Sequence, residues 1–224
     1  MRRFVKHNGL SLAFLGLFLG AIFFQAVAGL AAFNEEQARH GEAAISFFRY
    51  VTSSSFGVAV MENWQSEYLQ FTLFILLTVW LVQRGSPESK ELGKEGRESD
   101  EDQLVGDHAL DESPGWARTR GLRRRIYENS LLIVMAVIWT GTWFAQSVTG
   151  LNEYNSEQLD HHEATISWGE FLTSADFWER TLQNWQSEFL AVGSMAILAV
   201  YLRQRGSPES KPVGAAHHTT GVEG

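Results

Sequence analysis

The stretch LSLAFLGLFLGAIFFQAVAGLAAF, from Leu10 to Phe33, decides the fold of this chain. It has 24 residues, no charge and one strongly polar side chain, Gln25. A second run, Leu131 to Leu151, has 21 residues, no charge and the matching Gln146. A helix needs about 20 apolar residues to cross about 30 Å of hydrocarbon. Both runs are therefore predicted to be transmembrane helices.

The two runs belong to an internal repeat. Residues 8–90 align with residues 129–211 at a constant offset of 121 without a gap, and 36 of the 83 pairs are identical. Fixed-period self-similarity indicates that one structural unit is present twice. Each copy also carries a shorter apolar run with Trp or Tyr at both ends, as expected at the headgroup level of a membrane. The sequence predicts an all-α integral membrane four-helix bundle made of two parallel two-span repeats.

The predicted boundaries follow the repeat. Each copy has two spans around an outer loop: spans 10–33 and 64–83 with loop 34–63 in residues 1–90, and spans 131–151 and 185–204 with loop 152–184 in residues 128–211. The linker 91–127 is rich in Asp, Glu, Gly and Ser, so it lacks the apolar side chains whose burial offsets ordering entropy. The linker and the tail 212–224 are predicted to be disordered.

Charge predicts the orientation. Of the 18 Lys and Arg residues, only Arg39, Arg49 and Arg180 lie in the outer loops. Because cytoplasmic segments carry the excess of positive charge, both termini and the linker are expected in the cytoplasm. The net charge of −8 argues against nucleic acid as a partner. The expected partners are the lipid bilayer and a second copy or another membrane protein. The absence of cysteine excludes disulfides and thiolate chemistry.

Local signals predict where helices begin and end. Asn8 and Asn129 suit the N-caps of the first and third spans. Arg-Gly-Ser-Pro at 84–87 and again at 205–208 predicts the ends of the second and fourth spans. Three capping boxes are predicted to begin short loop helices: Asn34 with Gln37, Asn155 with Gln158, and Ser167 with Glu170. Asp176 is expected near the start of a helix that continues into the fourth span.

A metal site is one hypothesis for the outer loops. Glu36 and His40 are four residues apart, as are Glu157 and His161, and this spacing places each pair on one helix face. Two Glu and two His from paired repeats could bind a divalent metal such as zinc, manganese or iron. The alternatives are solvated helix caps, which acidic residues favour, and a pH-sensitive His–Glu contact.

Four polar residues lie within the predicted spans: Gln25, Glu67, Gln146 and Glu188. An ionisable side chain in a span is a functional candidate because its burial is costly. Glu67 and Glu188 could line a proton or cation pathway, or could reach water at the membrane boundary. Gln25 and Gln146 each precede a glycine by four residues, which suits close helix packing and an interhelical hydrogen bond.

Several motifs together resemble a known family. They are Asn8-Gly-Leu-Ser11, Asn34-x-Glu-Gln-x-x-His-Gly-Glu42, Asn63-Trp-Gln-Ser-Glu67 and Gly85-Ser-Pro-Glu-Ser-Lys90. The combination is similar to an uncharacterised bacterial family of duplicated four-span inner-membrane proteins. The resemblance covers both repeats and implies an architecture and a bacterial inner-membrane location, with no activity attached. One position departs between the copies, because Gly41 corresponds to His162.

The sequence therefore favours a non-enzymatic accessory or assembly protein of the membrane. Two alternatives remain open at this point. One is a small ion or solute conduit that uses Glu67 and Glu188, and the other is a metal-binding membrane enzyme centred on His40 and His161.

Overall fold

The computed structural model describes residues 2–222, which contain eight α-helices and no β-strand. The all-α prediction is confirmed. The helices are α1 (Arg2–His7), α2 (Gly9–Arg39), α3 (Phe47–Val51), α4 (Ser54–Leu77), α5 (Leu122–Glu128), α6 (Ser130–Asp160), α7 (Trp168–Leu172) and α8 (Ala175–Tyr201). Two short 3-10 helices, Gly106–His108 and Gly115–Arg118, lie in the linker.

The described residues form two compact units. The first unit comprises residues 2–60 and 145–170, and the second comprises residues 61–144 and 171–222. Each unit therefore contains parts of both sequence repeats. The first unit holds residues 34–60 and 152–170 of the outer loops, and the second holds most of α4, all of α8, the linker and the described tail.

Two helices are long and apolar enough to cross a membrane. Helix α2 has 31 residues with a mean hydropathy of 2.2 over its most apolar window, and α6 has 31 residues with a mean hydropathy of 1.6. These helices correspond to the predicted first and third spans. Among the described residues, α4 and α8 are not apolar enough to count as candidate spans. Each of them contains the polar motif, at 63–67 in α4 and at 184–188 in α8.

The N-cap positions predicted at Asn8 and Asn129 are confirmed, because the two residues directly precede α2 and α6, but the expected side-chain cap at Asn8 is wrong. Asn8 occupies the N-cap position of α2, but its side chain makes no cap bond and its Nδ2 donates to Phe4 O at 2.9 Å. Asn129 Nδ2 donates to Arg125 O at 2.7 Å. Each amide thus satisfies a carbonyl of the short helix before the break. Phe4 O also accepts from the backbone N of Asn8 at 3.0 Å, so the Asn8 side chain adds a second bond to the same carbonyl.

The capping boxes at Asn34 and Asn155 are also wrong, because both residues lie inside the long helices α2 and α6. Their side chains instead bind the returning loop. Asn34 accepts from Ile45 N at 2.8 Å and donates to Ile45 O at 3.1 Å. Asn155 makes the same pair of bonds with Ile166, at 2.9 and 3.0 Å. A primary amide can donate and accept at once, so each asparagine satisfies both polar groups of one loop residue.

The third capping box is confirmed. Ser167 N donates to Glu170 Oε2 at 2.7 Å, and Glu170 N donates to Ser167 Oγ at 3.4 Å. Helix α8 begins one residue before Asp176, and Ser174 is its N-cap, with its Oγ accepting from Phe177 N at 3.2 Å. In the first repeat Ser53 Oγ accepts from Phe56 N at 3.3 Å in the same way.

Helices α4 and α8 end earlier than the predicted spans. Helix α4 ends at Leu77 and α8 at Tyr201, so the identical segments 83–90 and 204–211, here called the exit motifs, begin beyond the last helical residues. Directly after α4 the Thr78 hydroxyl donates to Phe74 O at 2.7 Å, and the same carbonyl accepts from Thr78 N at 3.1 Å; a hydroxyl bond of this kind slightly destabilises a helix. At the end of α8 the Arg203 Nη1 donates to Val200 O at 3.1 Å. A cation at a helix C-terminus satisfies carbonyls that have no intrahelical donor.

The linker and the tail adopt turns with specific bonds. Gly96 N donates to Val79 O at 2.7 Å, and Arg124 pairs with Asp100 at 3.1 Å and with Glu128 at 2.9 Å. In the tail, Gly221 N donates to Ser86 O at 3.0 Å. The disorder expected for residues 91–127 and 212–224 stays a prediction. Residues 223 and 224 of the tail lie outside the described residues.

Candidate functional site

The repeated motif Asn-Trp-Gln-Ser-Glu lies on α4 at 63–67 and on α8 at 184–188. At 100° per residue, the Gln and Ser of this motif (the Gln-Ser half) lie on the side of the helix opposite to its Trp and Glu (the Trp-Glu half). A helix that turns one half of the motif directly toward a neighbour therefore turns the other half away from the centre of that contact. This geometry determines which motif residues meet between α4 and α8.

In the structure α4 presents its Gln-Ser half and α8 presents its Trp-Glu half. Trp185 Nε1 donates to Gln65 Oε1 at 2.8 Å. Ser66 Oγ lies 3.3 Å from Glu188 Oε1 and donates toward it, and it also donates to Asn63 O at 2.9 Å. Gln65 is fully buried, with an exposed fraction of 0%. Polar groups at this depth require partners, and the two copies of one motif supply them to each other.

An ion pair lies beside these bonds. Arg180 Nη1 is 3.4 Å from Glu62 Oε1, and Arg180 Nε is 3.3 Å from Asp176 Oδ1 on its own helix. The repeat breaks here, because the counterpart of Arg180 in the first copy is Ala59 and the counterpart of Glu62 in the second copy is Gln183. The ion pair can therefore form only when the Gln-Ser half comes from α4 and the Trp-Glu half from α8.

Aromatic packing positions Trp185. The ring of Trp143 lies 6.0 Å from the ring of Trp185 and 6.1 Å from those of Phe177 and Trp178, measured between centroids. Such aromatic contacts have preferred geometries and add to the free energy of area burial. The cluster restricts the indole whose N–H reaches Gln65.

The model of a family described as a domain of unknown function (DUF6766) matches residues 1–222. The chain belongs to this family. No curated protein and no solved structure matches it. The family match spans both repeats and the linker, and it carries no activity to this chain.

The proposed metal ligands lie at the ends of α2 and α6. His40 Nε2 is 3.0 Å from Glu36 Oε1, and Glu36 also pairs with Arg39 at 3.2 Å. Between His161 and Glu157 the structure shows the backbone bond from His161 N to Glu157 O, at 3.1 Å. Across residues 2–222 there is no group of three or more His, Cys, Asp or Glu side chains that could hold a metal ion. The metal hypothesis stays a prediction, which elemental analysis of purified protein tests.

The four polar residues of the predicted spans occupy different environments. Glu188 binds Ser66, whereas its counterpart Glu67 is exposed on α4. Gln146 is buried with an exposed fraction of 1%, whereas its counterpart Gln25 is exposed on α2. The interhelical packing expected of Gln146 stays a prediction. Equivalent positions of the repeat therefore differ in their exposure.

The exit motifs form two copies of one local structure. Gln83 N donates to Ser89 Oγ at 2.8 Å, and Gln204 N donates to Ser210 Oγ at 2.9 Å. The glycine of each motif has a positive φ, 89° at Gly85 and 81° at Gly206, which favours glycine. These bonds explain why the identity between the repeats extends to Ser and Lys beyond the Arg-Gly-x-Pro helix exit.

Each exit motif ends on a lysine that binds backbone carbonyls of the following segment. Lys90 Nζ donates to Gly96 O at 2.6 Å, and Lys211 Nζ donates to His217 O at 2.9 Å and to Thr219 O at 3.2 Å. Burial, and secondarily the nearby Arg203 cation, lower the pKa of the Lys211 ammonium group. The carbonyls oppose this effect because they accept hydrogen bonds from the charged form. The repetition of this motif is visible in the sequence, whereas the carbonyl partners of the two lysines are visible only in the structure.

Proposed function

We propose that this chain is a multi-pass protein of the bacterial inner membrane with four spans and cytoplasmic termini, which acts without catalysis as an accessory or assembly protein. The observation that carries the proposal is the apolar surface of α2. Its large side chains are exposed along most of its length: Leu10, Phe14, Leu15, Leu17, Phe18, Leu19, Phe23, Phe24 and Val27. Water-soluble proteins rarely expose a contiguous apolar surface of this extent, so lipid is the expected neighbour.

Helices α4 and α8 support the four-span arrangement by their length. They have 24 and 27 residues, which corresponds to about 36 and 40 Å at 1.5 Å per residue. On α4, the polar side chains of Gln65, Ser66 and Glu62 contact partners on α8. A polar side chain that is paired across two helices can be accommodated at membrane depth. The pairing offsets the low hydropathy of these two helices.

The accessory role rests on how the repeated motif is used. Its side chains bind each other across α4 and α8, and the exit motifs bind the backbone of the segments that follow. Residues used in this way stabilise an architecture. A protein of this kind is expected to retain a partner membrane protein when it is purified in mild detergent, and repeated purification without any partner would argue against the accessory role.

Labelling of introduced cysteines tests the topology, and the chain is suited to it because it has no native cysteine. We would introduce Glu42→Cys, Glu112→Cys and Glu163→Cys separately, at exposed positions of the first loop, the linker and the second loop. Intact cells would be treated with a membrane-impermeant maleimide. Permeabilised cells serve as the control, in which all three variants should react.

The labelling pattern separates four spans from two. Four spans predict reaction at positions 42 and 163 and protection at 112. If only α2 and α6 cross the membrane, positions 42 and 112 lie on one side and position 163 on the other. That pattern would overturn the four-span proposal. Reaction at all three positions in intact cells would overturn the membrane topology altogether.

A second candidate function is a small ion or solute conduit. It is favoured by Glu67, whose carboxylate is exposed on α4 inside the predicted second span. Flux measured in proteoliposomes should then fall in Glu67→Gln, with Glu163→Gln in the outer loop as the matched control. Equal flux for both variants and the unmodified protein at every pH would remove the conduit.

A further inference from the structure

An exposed apolar strip lies on α5, the short helix that directly precedes α6. Leu122 and Ile126 form this strip, since residues four positions apart lie on one side of a helix, and their exposed fractions are 73% and 43%. At 100° per residue, Arg123 and Arg125 lie on opposite flanks of the strip, each about 80° from its centre. Helix α5 therefore presents an apolar strip with a cation on each side.

The opposite side of α5 faces the acidic linker. Arg124 lies about 180° from the centre of the strip. Its guanidinium group pairs with Asp100 of the linker at 3.1 Å and with Glu128 at 2.9 Å. These two carboxylates are therefore held on the side of α5 away from the strip, where they do not neutralise the flanking cations.

The two flanking arginines differ from the other arginines of this region in having no acidic partner. Arg120 pairs with Asp107 at 2.8 Å, and Arg118 donates to a linker carbonyl at 2.7 Å. Arg123 and Arg125 are exposed, and among residues 2–222 neither guanidinium group has a hydrogen bond or an ion pair. The positive charge beside the strip is therefore available to a ligand.

An aromatic pair marks the membrane level at which α5 lies. The ring centroids of Trp116 and Tyr127 are 6.3 Å apart, and both side chains are exposed. Tryptophan and tyrosine favour the headgroup region of a membrane. Only Asn129 separates α5 from α6, and its φ of −115° and ψ of 11° break the helix there. Helix α5 is thus a separate element at the end of a candidate span.

We propose that α5 binds anionic lipids of the leaflet in which α6 begins. Leu122 and Ile126 enter the boundary between headgroups and acyl chains, as the apolar face of an interfacial helix does. Arg123 and Arg125 bind the lipid phosphates on either side, with their apolar stems along the strip. This inference rests on the proposed membrane location and goes beyond it by naming a lipid class and the residues that bind it.

The combination of strip and cations favours lipid over a soluble ligand. A free phosphate ion would satisfy Arg123 and Arg125 but would leave Leu122 and Ile126 in water. A neutral lipid would cover the strip but would gain little from the cations, whereas each arginine near an anionic membrane surface adds to the attraction. An anionic lipid matches both parts of the surface.

Fluorescence from position 126 tests the proposal in the full-length protein. The chain has no native cysteine, so Ile126→Cys carries the only environment-sensitive dye. The protein is placed in phosphatidylcholine nanodiscs with an increasing fraction of phosphatidylglycerol and a constant fraction of lipid with brominated acyl chains, which quench a dye at the acyl boundary. We expect quenching to rise with phosphatidylglycerol and to weaken at high salt. The matched dye position, Glu112→Cys on the exposed linker, should not be quenched.

Charge variants in the Ile126→Cys background identify the binding residues. Arg123→Gln with Arg125→Gln should lower the affinity for phosphatidylglycerol about 30-fold, which moves half-maximal quenching beyond the range tested. Both residues are exposed, so the fold should tolerate the change, and Arg123→Lys with Arg125→Lys should keep most of the quenching. Arg84→Gln with Arg205→Gln removes the same charge from exposed positions elsewhere and should leave the quenching unchanged.

Several results would overturn the proposal. Equal quenching with and without phosphatidylglycerol would show that the contact does not select anionic lipid. Unchanged quenching in Arg123→Gln with Arg125→Gln would remove these residues from the contact. An equal loss in Arg84→Gln with Arg205→Gln would assign the effect to net charge.

Two further measurements separate lipid from other ligands of the same surface. Inorganic phosphate added to phosphatidylcholine nanodiscs should not change the dye emission, and a shift that requires Arg123 and Arg125 would assign the surface to soluble phosphate instead. Nanodiscs that hold one or two chains should give the same quenching. Protection of the dye that appears only with two chains, without phosphatidylglycerol, would assign the strip to a second copy and overturn the lipid proposal.

Failure of this experiment is distinguishable from failure of the membrane proposal. Maleimide labelling at positions 42, 112 and 163 reports the topology in cells and does not depend on lipid charge. Both leaflets of a nanodisc have the same composition, so the quenching does not depend on the orientation of the chain. A four-span labelling pattern without phosphatidylglycerol-dependent quenching would leave the topology standing and remove only the lipid surface.

Discussion

Trp185 Nε1 donates a hydrogen bond to Gln65 Oε1 at 2.8 Å, although the two residues are 120 positions apart in the chain. Each residue belongs to one copy of the same five-residue motif. The bond joins two different positions of that motif, so it is not a symmetric contact. It shows how a duplicated sequence forms an interface between unlike surfaces of its two copies.

Loss of this bond is expected to destabilise the protein. Trp185→Phe keeps an aromatic ring but leaves the buried Gln65 oxygen without its donor, which costs about 1–3 kcal/mol. Thermal unfolding in detergent measures the change, and the double variant with Gln65→Leu should lose less than the sum of the single variants. Gln186→Leu is the matched control because Gln186 is the exposed counterpart of Gln65. Under conditions where the chain is monomeric, an equal loss in that control would contradict the role given to the buried pair.

Substitution of Gly29 should destabilise the first unit. A Cβ at this position would lie 2.9 Å from Tyr50 Cζ and closer still to the phenol oxygen. Tyr50 packs against Phe33 and Phe56 and cannot withdraw easily. We expect Gly29→Ala to cost about 1–3 kcal/mol through overpacking.

Gly16→Ala on the same helix provides the control for Gly29→Ala. A Cβ at Gly16 would have no neighbour within 4 Å. Because alanine is preferred to glycine in a helix interior, this variant should be neutral or more stable by about 0.5–1 kcal/mol. The unfolding temperatures of the two variants should therefore move in opposite directions, and a parallel decrease would show that the Tyr50 contact is not the cause.

His162 is expected to weaken the end of α6. It has a φ of +59°, whereas its counterpart Gly41 has a φ of +76° at the end of α2. A left-handed backbone costs a non-glycine residue about 1–2 kcal/mol. His162→Gly should raise the free energy of unfolding by about 1 kcal/mol, and Gly41→Ala should lower it by a similar amount. Denaturant unfolding of both variants measures the two signs, and a loss of stability in His162→Gly would contradict the strain.

The asparagine bonds to the loops should control local opening. Asn155→Ala removes both bonds to Ile166, and the expected cost is about 1–3 kcal/mol. Asn155→Asp keeps the acceptor for Ile166 N and loses only the donor, so its effect should be smaller at neutral pH. Hydrogen exchange of the Ile166 amide measures the opening directly. Equal exchange rates in the two variants would indicate that the acceptor bond does not hold the loop.

Stability should fall at alkaline pH through Tyr50. Burial, and secondarily the carboxylate of Glu153, raise the pKa of the Tyr50 phenol above its ordinary value of 10.0. Because the raised pKa favours the neutral phenol in the folded state, the stabilisation is complete below pH 10 and is lost as the pH rises through the folded pKa. Ultraviolet titration should show that Tyr50 is among the last of the five tyrosines to ionise.

Two variants check the cause of the Tyr50 shift. Tyr50→Phe should remove the late-titrating phenol and flatten the alkaline loss of stability. Glu153→Gln should lower the Tyr50 pKa only in part, because burial is the larger cause. A Tyr50 that titrates with the exposed tyrosines in the unmodified protein would contradict its burial.

Much of the local structure could be read from single stretches of sequence. The apolar runs at Leu10–Phe33 and Leu131–Leu151 predicted α2 and α6, because hydropathy over about 20 residues is a property of the chain itself. The Ser167 and Glu170 capping box formed as predicted, because its partners are three residues apart. The identical segments 83–90 and 204–211 make the same local bond, from the backbone N of Gln83 or Gln204 to the hydroxyl of Ser89 or Ser210.

Contacts between distant residues were decided by the tertiary structure. Asn34 and Asn155 looked like helix caps, yet the helices continue past them and their amides bind loop residues eleven positions later. Glu67 and Glu188 occupy identical positions in the repeat, but Glu188 binds Ser66 of the other copy whereas Glu67 is exposed. Sequence determines which side chains share a helix face, whereas packing determines which face is turned inward. In this protein the pairing of Glu62 with Arg180, which only one arrangement allows, favours the observed choice.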